Sequence, residues 1–306
     1  MADEKWETQL CRVVAFGDSI TQEAFENGGW GARLVAQLTR RGDVVNRGFS
    51  GYNTEWAVRT LDKVFPVKHA PQAASAWGLY SSAVVTVFFG ANDASTPGSR
   101  QAVPVDAFVA NLRKICLRVA AWADGSAIPL TLVVIGCPPV HREQRLAFQV
   151  EKYGKKATGV PERSLEMAQE YAAAAMAVAN ELALEWAAPV APHRTVHALN
   201  LCELMLSSSP DNWSHFLRDG LHLSRQGNEF VYTALSALLP HVVGDHPLFF
   251  PHHSRIDAGD VDASFDVDAN QPSRDVAAAA SASRLAPAGA GTSTDVSASP
   301  RVISHT

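Results

Sequence analysis

Short apolar runs alternate along the chain with stretches whose apolar residues recur at helical spacing, and the alternation continues from Arg12 to Leu239. Arg12–Phe16 reads as a strand. Trp30, Leu34, Val35 and Leu38 share one face of a predicted helix that runs from Trp30 to Arg41 and stops at Gly42. Val44–Asn46 reads as a short strand, and Asn53 or Thr54 caps a helix through Phe65. Ala83–Phe89 is apolar throughout, as a strand covered on both faces requires. Pro104 suits the first turn of a helix to Trp122, and Leu130–Ile135 reads as a buried strand stopped by Gly136 and Pro138. A long Ala-rich helix over Glu162–Ala187, a last strand at Thr195–Leu199 and a helix from the Ser224 cap to Leu239 complete the pattern. Five strands, each followed by helix, predict an α/β fold: a parallel sheet with helices on both faces, which binds ligands at the carboxyl ends of its strands.

Composition narrows the picture. The 306 residues are 47% hydrophobic and 19% charged, a globular composition with no internal repeat. Net charge is −5, but from Asp257 onward the chain holds seven Asp and three Arg, so the body is nearly neutral and gives no support for a nucleic-acid partner. From about Ile256 the sequence is Asp, Ala, Ser, Gly and Pro, too poor in apolar residues to offset its ordering entropy. The expected organisation is one folded domain over 1–250 and a disordered acidic tail over 251–306. Cys11, Cys116, Cys137 and Cys202 form no Cys-x-x-Cys pair and sit in apolar surroundings, so they read as reduced, buried thiols. The charged start Met1–Glu7 and the absence of an 18-residue apolar run predict no secretory signal and no membrane span, and thus a cytoplasmic protein.

Four polar motifs follow strands or precede the last helix: Gly17-Asp18-Ser19, then Asn46-Arg47-Gly48-Phe49-Ser50-Gly51-Tyr52-Asn53-Thr54, then Gly90-Ala91-Asn92-Asp93, then Arg218-Asp219-Gly220-Leu221-His222. Taken singly, each also fits a turn or a cap: Asp18-Ser19 a helix cap, Gly51 a positive-φ turn, Asp219-Gly220 a tight turn. Ser50 is a rival nucleophile, but a nucleophile elbow needs Gly where Tyr52 stands. Asp18 and Asp93 read as local braces. His246, His252 and His253 cluster without Cys or carboxylate company at ligand spacing, so no metal and no cofactor is expected.

Together the motifs carry a resemblance. Phe16–Gln22, Gly28–Ala32, Asn46–Thr54, Val85–Ala94 and Arg218–Ser224 are similar to the GDSL/SGNH hydrolases, and most to the isoamyl-acetate-hydrolysing esterases among them. The resemblance spans Arg12 to Leu239, loosens between His141 and Ser164, and stops before the tail. It implies a three-layer, flavodoxin-like fold and a serine esterase acting on a small-molecule ester of the small acetate type. It assigns Ser19 as nucleophile, His222 as base and Asp219 as its orienting acid, with Ser19, Gly51 and Asn92 as oxyanion donors. Phe25, Trp30 and Tyr52 lie near the motifs as candidate pocket aromatics, and the 141–164 segment, with Lys155 and Lys156, as a substrate rim. Alternatives on the same triad are an acyltransferase and a carbohydrate O-deacetylase; a non-enzymatic alternative is an inactive scaffold, disfavoured because no motif residue is lost.

Overall fold

The computed structural model describes residues 10–26, 28–67, 80–126, 128–187, 189–239 and 253–261. Its sheet holds β1 (Leu10–Gly17), β2 (Gly42–Gly48), β3 (Tyr80–Phe88), β4 (Leu130–Ile135) and β5 (Arg194–Leu199), all parallel, in the order β2-β1-β3-β4-β5. The three inner strands are the apolar ones. Val84, Val85, Val87, Leu132, Val133 and Val134 are buried on both faces, whereas edge strand β2 is half-exposed along its length. Hydrophobicity alone therefore ranks the strands by depth in the sheet.

The described helices are α1 (Ser19–Gln22), α2 (Trp30–Gln37), α3 (Thr54–Val58), α4 (Leu61–Val64), α5 (Val105–Gly125), α6 (Arg142–Tyr153), α7 (Leu165–Glu185), α8 (Leu201–Ser208) and α9 (Arg225–Leu238). α2 packs on α9, while α5 packs on α3 and α7, which gives one helical layer on each side of the sheet. The result is a three-layer α/β fold. The helix expected from Asn53 to Phe65 is broken between α3 and α4, where the Thr60 hydroxyl donates to the Ala57 carbonyl at 2.8 Å. Asn53, Ser164 and Ser224 cap α3, α7 and α9 through their side chains. α6 and α8 add to the elements expected from the sequence.

The strand order reverses beside β1. The chain leaves β1 toward β2 and returns across it to β3, so a crevice opens where the carboxyl ends of β1 and β3 diverge. Phe16 plugs its floor, edge-on to Phe65 at 5.3 Å and to Phe89 at 4.9 Å. The tail expected over 251–306 lies outside the described residues except for 253–261.

Candidate active site

Gly17 ends β1 because nothing larger fits there. A Cβ on it would sit 2.1 Å from Thr21 Oγ1 and 2.5 Å from the Phe88 carbonyl. This close approach lets the Asp18 N–H reach the Phe88 carbonyl at 3.3 Å. Asp18 Oδ1 then accepts the Ile20 N–H at 2.9 Å and caps α1, so Ser19 opens a helical turn directly at the strand end.

Its partner comes from the loop before α9. Leu217 and Leu223 pair as a short antiparallel bridge, and Gly220 turns the chain between them at φ +79°. A Cβ at Gly220 would lie 2.4 Å from the His141 carbonyl, so α6 can pack against this loop only because the residue is glycine. Asp219 Oδ1 accepts the backbone N–H groups of Leu221 and His222 at 3.0 and 2.8 Å, and Oδ2 accepts from His222 Nδ1 at 2.7 Å. With Nδ1–H committed to the carboxylate, Nε2 is left to accept the Ser19 hydroxyl, 3.0 Å away. Burial pushes the Asp219 carboxyl up, but the hydrogen bonds and charge of His222 and the two backbone N–H groups outweigh it and hold the acid well below the ordinary carboxylate range.

Ser19, Gly51, Asn92 and His222 line one cavity of about 500 Å³. Asn92 Nδ2 gives one hydrogen to the Tyr52 carbonyl at 2.9 Å, which leaves its other N–H unspent. Gly51 stands at φ +81°, and its N–H, like that of Ser19, has no protein acceptor among the described residues. Ser50 lines the same cavity, but the His222 imidazole is bonded to Ser19. The three aromatic candidates are placed elsewhere. Trp30 is 0% exposed in the core and Phe25 packs against Gly31, while the Tyr52 ring is tilted against Phe49 and edge-on to Trp56; none lines the cavity. Tyr52 contributes through its carbonyl alone.

The far wall of the cavity is α6 and the segment after it, which opens with a 3-10 turn at Gly154–Lys156. Arg145, Gln149, Lys152 and Lys156 recur there at helical spacing. A rim over 141–164 was legible, but not the charges inside it: buried Arg145 and Arg163 and half-buried Glu162, together with Gln101 from the loop after β3, went unrecognised. The available signal was polar periodicity, since Arg145 and Gln149 are the buried positions of α6.

Two buried carboxyls lie beneath the site. Burial raises Asp18 to about 7 and Asp93 to about 6, against the hydrogen bonds each accepts from Ile20 and Thr54. A raised folded value means stability present below the unfolded value and lost as pH climbs through the folded one. Asn at position 18 keeps the acceptor for Ile20 and cannot ionise. Asp18→Asn is therefore expected to melt above the wild type at pH 8 and level with it near pH 4; a gain of about 1 kcal/mol appears as about 2–4 °C. An equal offset at both pH values would contradict the buried ionisation.

All four cysteines are buried and free. His246 and His252 lie outside the described residues, and among the described residues no group of three or more His, Cys, Asp or Glu is placed to hold a metal ion. No helix among them is long and apolar enough to cross a membrane.

Comparison with known proteins gives the family. The profile of the GDSL-like lipase/acylhydrolase family matches residues 13–235. A GDSL esterase/lipase of Arabidopsis thaliana is 35% identical over 83% of this chain and 97% of its own length. The isoamyl acetate-hydrolyzing esterase 1 homolog of Bos taurus is 38% identical over 79% of this chain and 86% of its own. Among solved structures, an M. smegmatis aryl esterase matches with a TM-score of 0.47 and 17% identity, over 76% of this chain and 99% of that one. The chain belongs to the GDSL-like lipase/acylhydrolase family and is a carboxylic ester hydrolase.

Proposed function

We propose that the protein hydrolyses small acetate-type esters through an acyl-enzyme on Ser19. The observation that carries this reading is the unbroken relay from Asp219 through His222 to Ser19, at 2.7 and 3.0 Å, opening on the cavity. As Ser19 Oγ attacks the ester carbonyl carbon, its proton passes to His222 Nε2, and the Asp219 carboxylate stabilises the imidazolium at Nδ1. The carbonyl oxygen becomes an oxyanion held by the N–H groups of Ser19 and Gly51 and by the free Asn92 amide hydrogen. Collapse breaks the bond to the alcohol oxygen, which takes the proton from His222 and departs. Water then attacks the acyl group, gives its proton to His222, and the acid leaves as that proton returns to Ser19 Oγ.

The lining supports a short acyl group. Among the described residues Leu221 and Tyr153 are its only sizeable apolar side chains, set among Gln101, Gln149, Thr158 and charged residues. In an apolar pocket each added CH₂ is worth about 0.8 kcal/mol, or about fourfold in kcat/KM. That gain is absent here, so a p-nitrophenyl ester series from acetate to octanoate is expected to show kcat/KM highest at acetate and falling with length. A rise of about fourfold per CH₂ would overturn the assignment. The Bos taurus relative, named for isoamyl acetate, agrees with a small acyl group. The polar wall favours a second reading, a carbohydrate O-deacetylase, and preference for an acetylated sugar over isoamyl acetate in the same assay would select it.

A further inference from the structure

We infer that Glu162 is a positioning residue which, through two buried arginines, holds both halves of the catalytic apparatus in register: the carboxylate that orients the base and the amide that receives the oxyanion. The inference rests on the serine-esterase reading above and concerns residues outside the four sequence motifs.

Glu162 Oε1 accepts from Arg145 Nε at 2.7 Å, from Arg145 Nη2, and from Arg163 Nη1 at 3.0 Å. Its Oε2 accepts from Gln149 Nε2 at 2.6 Å. One carboxylate thus joins two guanidinium groups that are nearly sealed from water, with Arg145 6% and Arg163 4% exposed. Burial pushes against the ionised acid, but its hydrogen bonds and the Arg145 charge keep Glu162 below the usual range.

Each arginine reaches a different part of the site. Arg145 Nη1 lies 3.6 Å from Asp219 Oδ2, the same oxygen that accepts from His222 Nδ1. Arg163 Nη2 donates to Asn92 Oδ1 at 3.0 Å and to Gln101 Oε1 at 3.0 Å, and its Nε donates to the Ala91 carbonyl at 2.6 Å. Gln101 closes the ring, its Nε2 donating to Asn92 Oδ1 at 3.0 Å and to the Gly51 carbonyl at 2.8 Å. Asn92 Oδ1 therefore takes two donors, and the amide cannot flip without setting its own NH₂ against a guanidinium. A cation on Oδ1 also draws electron density from the amide and strengthens the remaining N–H as an oxyanion donor.

The arrangement explains why charge is buried here at all. Two desolvated guanidiniums without Glu162 would repel each other and seek water, carrying Asp219 and Asn92 out of position. A covering wall built only to exclude water would be served by apolar side chains.

The test is a double-mutant cycle on acetate turnover, normalised by active-site titration so that misfolded protein is not counted. Asn92→Ala alone is expected to lower kcat by about 10²–10³-fold, as loss of an oxyanion donor does. Arg163→Met alone is expected to lower kcat at least about tenfold with KM within about twofold. In the double variant the Arg163 change is expected to cost no more than about twofold further, because the group it positions is gone. A purely structural Arg163 would multiply the two losses, and that result would overturn the inference. Glu162→Gln, which keeps the shape and removes the charge, supplies a second readout. Arg145, no longer neutralised, disfavours the imidazolium, so the acid limb of kcat/KM moves to lower pH. An unmoved limb would also overturn it. Ser19→Ala run alongside separates the two levels: full activity there defeats the serine-esterase reading itself, whereas an inactive Ser19→Ala with an additive cycle defeats the positioning role alone.

Discussion

Ser19→Ala is expected to lower kcat on p-nitrophenyl acetate by about 10⁴-fold or more, the scale on which serine hydrolases respond to loss of the nucleophile. The fold should hardly register the change. The hydroxyl makes one side-chain hydrogen bond, to His222 at 3.0 Å. A bond of that kind is worth about 1 kcal/mol net, which corresponds to about 2–4 °C in Tm for a domain of this size. Activity and stability should therefore separate completely in this variant. Ser50 shares the cavity, but among the described residues no hydrogen bond joins its hydroxyl to His222, so it is not poised to replace Ser19. Full turnover by Ser19→Ala would mean that another group attacks the ester.

Asp219→Asn is expected to cost about 10⁴-fold in kcat with KM little altered. The local hydrogen bonds dictate how the new amide sits. Leu221 N–H and His222 N–H both point at the Oδ1 position, at 3.0 and 2.8 Å, so an oxygen must stay there. The NH₂ then occupies the Oδ2 position and donates to His222 Nδ1. That forces the imidazole proton onto Nε2, where it faces the Ser19 hydroxyl and cannot accept from it. The variant would be well folded with the wrong tautomer. Measured at its pH optimum, activity above about a tenth of the wild type would show that Asp219 has no orienting role.

What the sequence revealed, and what it hid, follows from how each element is held. β1, β3 and β4 are apolar on both faces and stand out in any reading of hydrophobicity, whereas α6 escapes it because its buried positions are Arg145 and Gln149. The same inversion hid Arg163, whose burial is compensated by the half-buried Glu162 rather than by apolar neighbours. Ser19, Gly51, Asn92, Asp219 and His222 were legible because each travels with a backbone device, a strand end, a cap or a glycine of positive φ, that leaves a local signature. Trp30 misled for the opposite reason. Its nearness in sequence to the Gly17-Asp18-Ser19 motif suggested a pocket wall, but an indole on the inner face of α2 packs into the core. Sequence proximity carries little information about which side of a helix a residue faces.

The central claim, that the ester is cleaved through a covalent bond to Ser19, is tested most directly by rapid acid quench of the protein during p-nitrophenyl acetate turnover, followed by peptide mass mapping. The account predicts an acetyl group on the peptide containing Ser19, formed before the steady state, lost as acetate is released, and absent from Ser19→Ala. Acetylation at any other residue with the same kinetics, or turnover with no acetylated Ser19 under conditions that trap it, would contradict it.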